Sequence, residues 1–379
     1  MAEKTKILMT GITGYIGGSV FCRLLQRPDF STFDIRAIVR SSEKAEKLKK
    51  YGVTSIIGSH TDFELMKNAT SDADIVITMA NVDDVDAAQG VLAGLKKKFE
   101  KTGKKAVLLH TSGTAVLGDD ARGEHASETV YDDIDPDQVE TLTPDHPHRP
   151  VDLAVVGAAQ EGYADTYIVL PPTIWGTPSG PLFDDKIANS RSYQLPALVK
   201  AGVVRGQGGI IGKGANIWPH VEVHELTTFY SLIMDNILMP DSLKPSVLGT
   251  GRNGFYFASS FEYNMYEVAE TISNVLVDMG KGKDRKPTSF SEDEINKYFG
   301  VGVFSAPICD FLTLEFIGKL WISGVWLKLS LSSDTSKDAG LVSNKDDPRY
   351  VGQYKSGDRD RVVTQEVKQI MSKQKHQIQ

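Results

Sequence analysis

The chain begins with an apolar run that ends in three glycines spaced three apart, Lys6-Ile-Leu-Met-Thr-Gly11-Ile-Thr-Gly14-Tyr-Ile-Gly17. This spacing demands a short β-strand that turns sharply into a helix. Gly11 permits the tight turn, Gly14 lets main chain approach a phosphate, and Gly17 lets the helix pack closely on the sheet. Free N–H groups at the start of that helix favour a pyrophosphate, so the loop, with Thr13, Tyr15 and Ile16 within it, is expected to hold a dinucleotide. Glycines also mark ordinary turns. Here a strand before the motif and a helix after it favour the nucleotide.

The segments that follow keep the same rhythm. Strands are expected over Ile7–Thr10, Asp34–Arg40, Ser55–Gly58, Asp74–Ala80, Ala106–Ser112 and Asp165–Leu170. Helices are expected over Tyr15–Gln26, Ser42–Lys50, Phe63–Lys67, Val85–Thr102 and Val151–Tyr163. Short apolar strands alternating with helices imply an α/β fold, a doubly wound parallel sheet of the Rossmann kind covered on both faces. Residues 1–176 are expected to form the nucleotide-binding domain, with stretches near 216–235 and 247–258 returning to it. Residues 177–379 are expected to form a smaller substrate-binding lobe and a helical tail. Residues 119–150 form an acidic stretch without helical period, expected as a mobile cover. Val301–Leu331, broken by charged residues, reads as a buried amphipathic helix, and Gly357–Gln379 as a surface helix.

A formal charge of −7 argues against a general nucleic-acid or membrane-surface binder. Cys22 and Cys309 offer neither a disulfide framework nor metal spacing, which suits a reducing compartment. The N-terminus runs straight into the first strand, leaving no room for a signal peptide, so the cytoplasm is expected. The expected partners are a small-molecule substrate and, at most, a second copy of the chain. His220 and His224 would share one side of a strand, near Glu222 and Glu225. No third ligand of known spacing joins them, so no metal is expected.

Five motifs fall in order: Thr10–Gly18, Ala37-Ile-Val-Arg40, His110-Thr-Ser-Gly-Thr-Ala-Val-Leu-Gly118, Leu170-Pro-Pro-Thr-Ile-Trp-Gly176 and Val221-Glu-Val-His-Glu-Leu226. Together they resemble the extended and atypical short-chain dehydrogenase/reductases, on the NAD-dependent epimerase/dehydratase-like and NmrA-like branch, over roughly residues 5–260. The resemblance implies that Gly11, Gly14 and Gly17 hold the pyrophosphate and that Ala80 and Asn81 lie beside the adenosine ribose. It places Thr111, Ser112 and Gly113, together with Pro171 to Ile174 and so Thr173, around a nicotinamide. An acidic residue at the end of the second strand would favour NAD, whereas Arg40 can pair with a 2′-phosphate, so NADP is expected over NAD. Arg40 as a merely solvated strand-end residue remains the alternative.

Enzymes of this kind use a tyrosine and a lysine four residues later. None of the thirteen tyrosines has that partner, and no lysine lies between Lys105 and Lys186. Alignment on the helix start puts His148 near the tyrosine position and Asp152 near the lysine position, with Arg149 a further candidate. The usual serine position carries Gly113, flanked by Ser112 and Thr114. The expected catalytic group is therefore His148 with Ser112 and Thr114, because imidazole exchanges protons near neutrality. Tyr131 is an outside candidate, and Asp152 reads also as a helix N-terminal carboxylate. Trp175, Trp218, Tyr193 and Phe183 are expected to line the substrate lobe, which suits an apolar or aromatic molecule, or to be core. Three functions stay open: an NADP(H)-dependent reductase, a redox-neutral isomerase or cyclase, and a nonenzymatic cofactor sensor.

Overall fold

The computed structural model describes residues 3–127, 129–240, 242, 248–299, 315–316 and 368. Its strands are β1 (Thr5–Thr10), β2 (Phe33–Val39), β3 (Val53–Ile57), β4 (Ile75–Thr78), β5 (Ala106–Thr111), β6 (Gly118–Asp119), β7 (Ala164–Leu170), β8 (Thr173–Trp175), β9 (Gly209–Ile210), β10 (Ile217–Glu222), β11 (Phe255–Phe257), β12 (Phe261–Asn264), β13 (Thr288–Ser289) and β14 (Glu315–Phe316). The helices are α1 (Tyr15–Leu24), α2 (Ser42–Leu48), α3 (Phe63–Thr70), α4 (Val85–Thr102), α5 (Pro136–Glu140), α6 (Arg149–Gln160), α7 (Pro181–Asp184), α8 (Gln194–Arg205), α9 (Val223–Leu238), α10 (Met265–Asp278) and α11 (Glu292–Phe299).

Seven strands form one sheet in the order β11-β7-β5-β4-β1-β2-β3, every pair parallel. Alternate residues feed opposite cores. Leu8 and Leu108 enter one apolar cluster with α4 and α6, while Ile7, Met9 and Leu109 enter another with α1 and α9. Each such buried side chain contributes about 1.5–3 kcal/mol, so a one-residue slip in register would exchange the two cores. Helix ends follow local chemistry. Asp84 caps α4 by accepting from the Ala87 N–H, and Gly103 closes it at φ +68°. The strand order reverses between β1 and β4, and ligands bind at the carboxyl ends beside such a switch.

A second sheet, β12-β10-β8, is mixed: β10 runs parallel to β8 and antiparallel to β12. Of the two stretches expected to return to the main sheet, only 255–257 does so as a strand. Residues 217–222 join the second sheet instead, because β8 turns out of the first immediately after Pro171-Pro172 and offers β10 its edge. The following helix, α9, does come back, packing against α1.

The 119–150 stretch is not featureless. It contains α5, and Tyr131, Val139 and Leu142 are buried in the core. The Phe257 N–H donates to Asp133 Oδ2 at 3.0 Å, and Arg252 pairs with Asp137 and Glu140. Apart from residues 315–316 and 368, the stretches read as helices over Val301–Leu331 and Gly357–Gln379 lie outside the described residues, as does Cys309.

Candidate active site

Where β1 ends, Gly11 takes φ +74°, and a Cβ on it would lie 2.3 Å from the Met79 carbonyl oxygen. Gly17 is as constrained: a Cβ there would lie 2.2 Å from the Gly11 carbonyl oxygen. The Gly14 N–H donates to that same oxygen at 2.8 Å. Gly14 caps α1 with no side chain to accept from the first turn, and that turn holds no acidic residue. Main-chain N–H groups at the start of α1 are therefore left for a ligand anion. A cradle that any Cβ would fill, opening on orphan N–H groups, fits a dinucleotide pyrophosphate.

Tyr15 and Ile16 line a cleft of about 280 Å³ with Gly14, Met79, Pro172 and Ile174. Its outer wall is the 189–194 segment. The Asn189 N–H donates to the Thr13 carbonyl at 3.0 Å, fastening that wall to the glycine loop. The Tyr15 hydroxyl donates to the Gly176 carbonyl at 2.8 Å. Arg40 is exposed and has no hydrogen bond or ion pair among the described residues. The neighbouring Ser41 hydroxyl instead caps α2. Ala80 and Asn81 lie just beyond β4, lining a small cavity of about 30 Å³ with Thr78 and His110.

At the carboxyl end of β5 the site is made of side chains. His148 is 7% exposed and caps α6 at φ +66°, a left-handed conformation uncommon outside glycine. Such strain costs on the order of 1–3 kcal/mol and concentrates at functional sites. Its Nδ1 lies 2.6 Å from Asp83 Oδ1. Burial pushes the Asp83 carboxyl up, but the hydrogen bond and charge of His148 outweigh it, and the group sits below its ordinary value. The other nitrogen faces Gly113: a Cβ on that glycine would lie 3.0 Å from Nε2. A residue larger than glycine would crowd the imidazole out of this position.

Beneath this pair, the Ser112 hydroxyl donates to Asp152 Oδ2 at 3.0 Å. Asp152 is fully buried, and burial pushes its carboxyl up to about 7. Among the described residues its Oδ1 and His110 Nε2 both lack hydrogen-bond partners, and they face each other at 4.0 Å. His110 Nδ1 meets the Thr78 hydroxyl at 2.8 Å, and burial pulls its imidazole down to about 4. Asp152 is therefore part of a buried polar column as well as a first-turn carboxylate.

The structure thus gathers His148 and Ser112 but not every expected residue. Thr114 donates its N–H to the Pro171 carbonyl, and its buried hydroxyl has no partner among the described residues. Arg149 turns away from His148: its Nε donates to the Leu142 carbonyl and its guanidinium lies over the Phe255 ring. Thr173 is taken up by the Tyr263 hydroxyl at 2.9 Å, and Thr111 by the Tyr230 hydroxyl at 2.6 Å. Tyr131 is buried in the core, away from the cleft. Of the four aromatics expected in the substrate lobe, Tyr193 lines the cleft at 65% exposure, while Trp175 and Trp218 are buried in the core and Phe183 packs against it. His220 and His224 do not share a strand face, since β10 ends at Glu222 and His224 lies in the first turn of α9, bound to Glu222. Asp83 and His110 were not singled out as site residues, because no spacing links them to the helix that carries His148.

Residues 3–95 match the NmrA-like family. The oxidase ucsJ of an Acremonium species is 27% identical over 323 residues, which cover 81% of this chain and 86% of that protein. An uncharacterised protein of Schizosaccharomyces pombe is 24% identical over 301 residues, 78% of this chain and 86% of that one. Among solved structures, UDP-glucuronic acid 4-epimerase from Bacillus cereus, in complex with UDP-glucuronic acid and NAD, aligns with a TM-score of 0.53 at 14% identity, over 97% of this chain and 100% of that chain. Yeast methylglyoxal/isovaleraldehyde reductase Gre2, complexed with NADPH, aligns at 0.51 and 13% identity, over 78% and 92%. Residues 3–95 are thus similar to the NmrA-like family, and the chain shares the α/β fold of the epimerase and the reductase, as the motifs led one to expect.

Proposed function

We propose that this chain is an NADP(H)-dependent oxidoreductase acting on a small organic substrate, with the Asp83–His148 pair in place of the tyrosine–lysine dyad. The observation that carries the reading is the side-chain-free space at Gly113, into which His148 Nε2 is held from behind by Asp83. A bound dinucleotide supplies or accepts the hydride. His148 holds the accompanying proton on Nε2 and exchanges it with the substrate oxygen, while Asp83 keeps Nδ1–H oriented and steadies the imidazolium. This is the division of labour of a histidine backed by a carboxylate. The glycine loop binds the pyrophosphate, and Arg40, free of protein partners among the described residues, faces the 2′-phosphate. The apolar lining of Ile16, Met79, Pro172 and Ile174 and the exposed ring of Tyr193 suit an apolar or aromatic substrate. The oxidase ucsJ and the yeast reductase lend support as relatives named for redox chemistry.

Titrating NADPH and NADH against the wild type and Arg40→Ala tests the cofactor assignment. NADPH is expected to bind at least about tenfold more tightly than NADH in the wild type, and the variant to lose that margin, since a bidentate phosphate contact is strong. Equal wild-type affinities would sink it. Substrate turnover without change in the nicotinamide absorbance would favour a redox-neutral enzyme instead.

A further inference from the structure

Among the described residues, the cleft between the glycine loop and the 189–194 wall has one charged lining side chain, Arg191. It is exposed and has no ion pair among the described residues, although the chain is acidic overall. Its backbone is held on both sides. The Arg191 N–H donates to Asn189 Oδ1 at 3.2 Å, and Asn189 Nδ2 donates to the Arg191 carbonyl at 3.1 Å. Asn189 is itself fastened to Thr13. The guanidinium thus projects from a braced segment tied to the loop whose N–H groups await an anion. Next to it, Ser192 lines the same cleft, and its buried hydroxyl has no hydrogen-bond partner among the described residues.

We infer that Arg191 is a clamp on the diphosphate of the bound dinucleotide, closing over the glycine loop from the opposite wall. The inference rests on the reading that the chain binds a dinucleotide. Main-chain N–H groups supply partial charge on one side of the diphosphate. A fork of guanidinium donors supplies full charge on the other. This division makes Arg40 and Arg191 separable: one reads the 2′-phosphate, the other the diphosphate common to NADP and NAD.

Calorimetric titration of the full chain with ADP-ribose, adenosine 2′-monophosphate and NADPH tests it, because the first probe carries only the diphosphate and the second only the 2′-phosphate. Arg191→Ala is expected to weaken ADP-ribose and NADPH about tenfold each, the scale of a lost charged hydrogen bond, and to leave adenosine 2′-monophosphate within about twofold. Arg191→Lys, which keeps charge but not the fork, is expected to fall between. Added salt should weaken ADP-ribose binding less in Arg191→Ala than in the wild type. ADP-ribose binding unchanged in Arg191→Ala, or adenosine 2′-monophosphate weakened equally, would overturn the assignment. A wild type that binds none of the three probes would overturn the dinucleotide reading itself, a different result from wild-type binding that the variant leaves intact.

Discussion

At the α1 end of the cleft the groups offered to a ligand are main-chain N–H donors, shaped by Gly11, Gly14 and Gly17. At the start of α6 the polar groups are buried side chains instead: His148 on Asp83, and Ser112 on Asp152. A main-chain cradle tolerates almost no substitution, since any Cβ collides with a carbonyl oxygen, and so it leaves a rigid mark in the sequence. A side-chain constellation can be rebuilt from other residue types while its geometry survives. That is why the first end is marked in the sequence by its glycine spacing and the second carries no such mark.

The sharpest way to break the contrast is Gly14→Val. A Cβ at Gly14 already lies 3.0 Å from the Gly11 oxygen, and a branched side chain would stand over the first-turn N–H groups. NADPH affinity should fall by about a hundredfold or more, the loss of several charge-assisted hydrogen bonds. Wild-type affinity in the fluorescence titration would mean that the nucleotide sits elsewhere.

At the other end, His148→Ala should lower turnover of a reducible substrate by about a hundredfold, the scale of general acid–base catalysis, with the NADPH Kd unchanged. Asp83→Asn keeps the shape but not the charge, and should lower turnover about tenfold, because the imidazole loses the carboxylate that orients it. Stopped-flow nicotinamide absorbance separates turnover from binding. Full activity in His148→Ala would leave the missing dyad without this replacement.

A smaller effect probes the buried column. Asp152 is held up to about 7 against 3.8 when unfolded, so the folded state binds its proton more tightly. Its contribution to stability is complete below pH 3.8 and is lost as pH rises to about 7. His110, held down to about 4 against 6.5, acts the opposite way: its contribution is present above 6.5 and lost as pH falls through about 4. Asp152→Asn should therefore remove the decline on the rising side, gaining on the wild type by about 3 kcal/mol between pH 4 and 7. Urea midpoints at the two pH values measure this. Parallel curves for the two proteins would show that the carboxyl is not titrating there.

Several features are legible in the sequence alone. The helix over Val85–Thr102 falls where the sequence put it, because a capping aspartate and a closing glycine bracket its apolar stripe. The glycine loop and the doubly wound order followed from strand and helix periods. His148 was found only through a gap, the absent lysine between Lys105 and Lys186. Asp83 left no signal, since 65 residues separate it from His148. Arg149 was a fair candidate by position, yet the register of α6 turns it onto Phe255 and the Leu142 carbonyl.

What the sequence determined by itself is therefore what depends on local sterics and short-range periodicity: the glycine turn, the alternation of strands and helices, and the loss of the dyad. What only the tertiary structure decided depends on which distant segments the sheet brings side by side. The parallel pairing of β4 with β5 sets the loop carrying Asp83 beside the start of α6 and puts His110 next to Thr78. The departure of β8 from the main sheet gives β10 its partner. The bond from Asn189 to Thr13 brings Arg191 to the glycine loop. Each of these rests on long-range hydrogen bonds and buried contacts, whose partners no local spacing encodes.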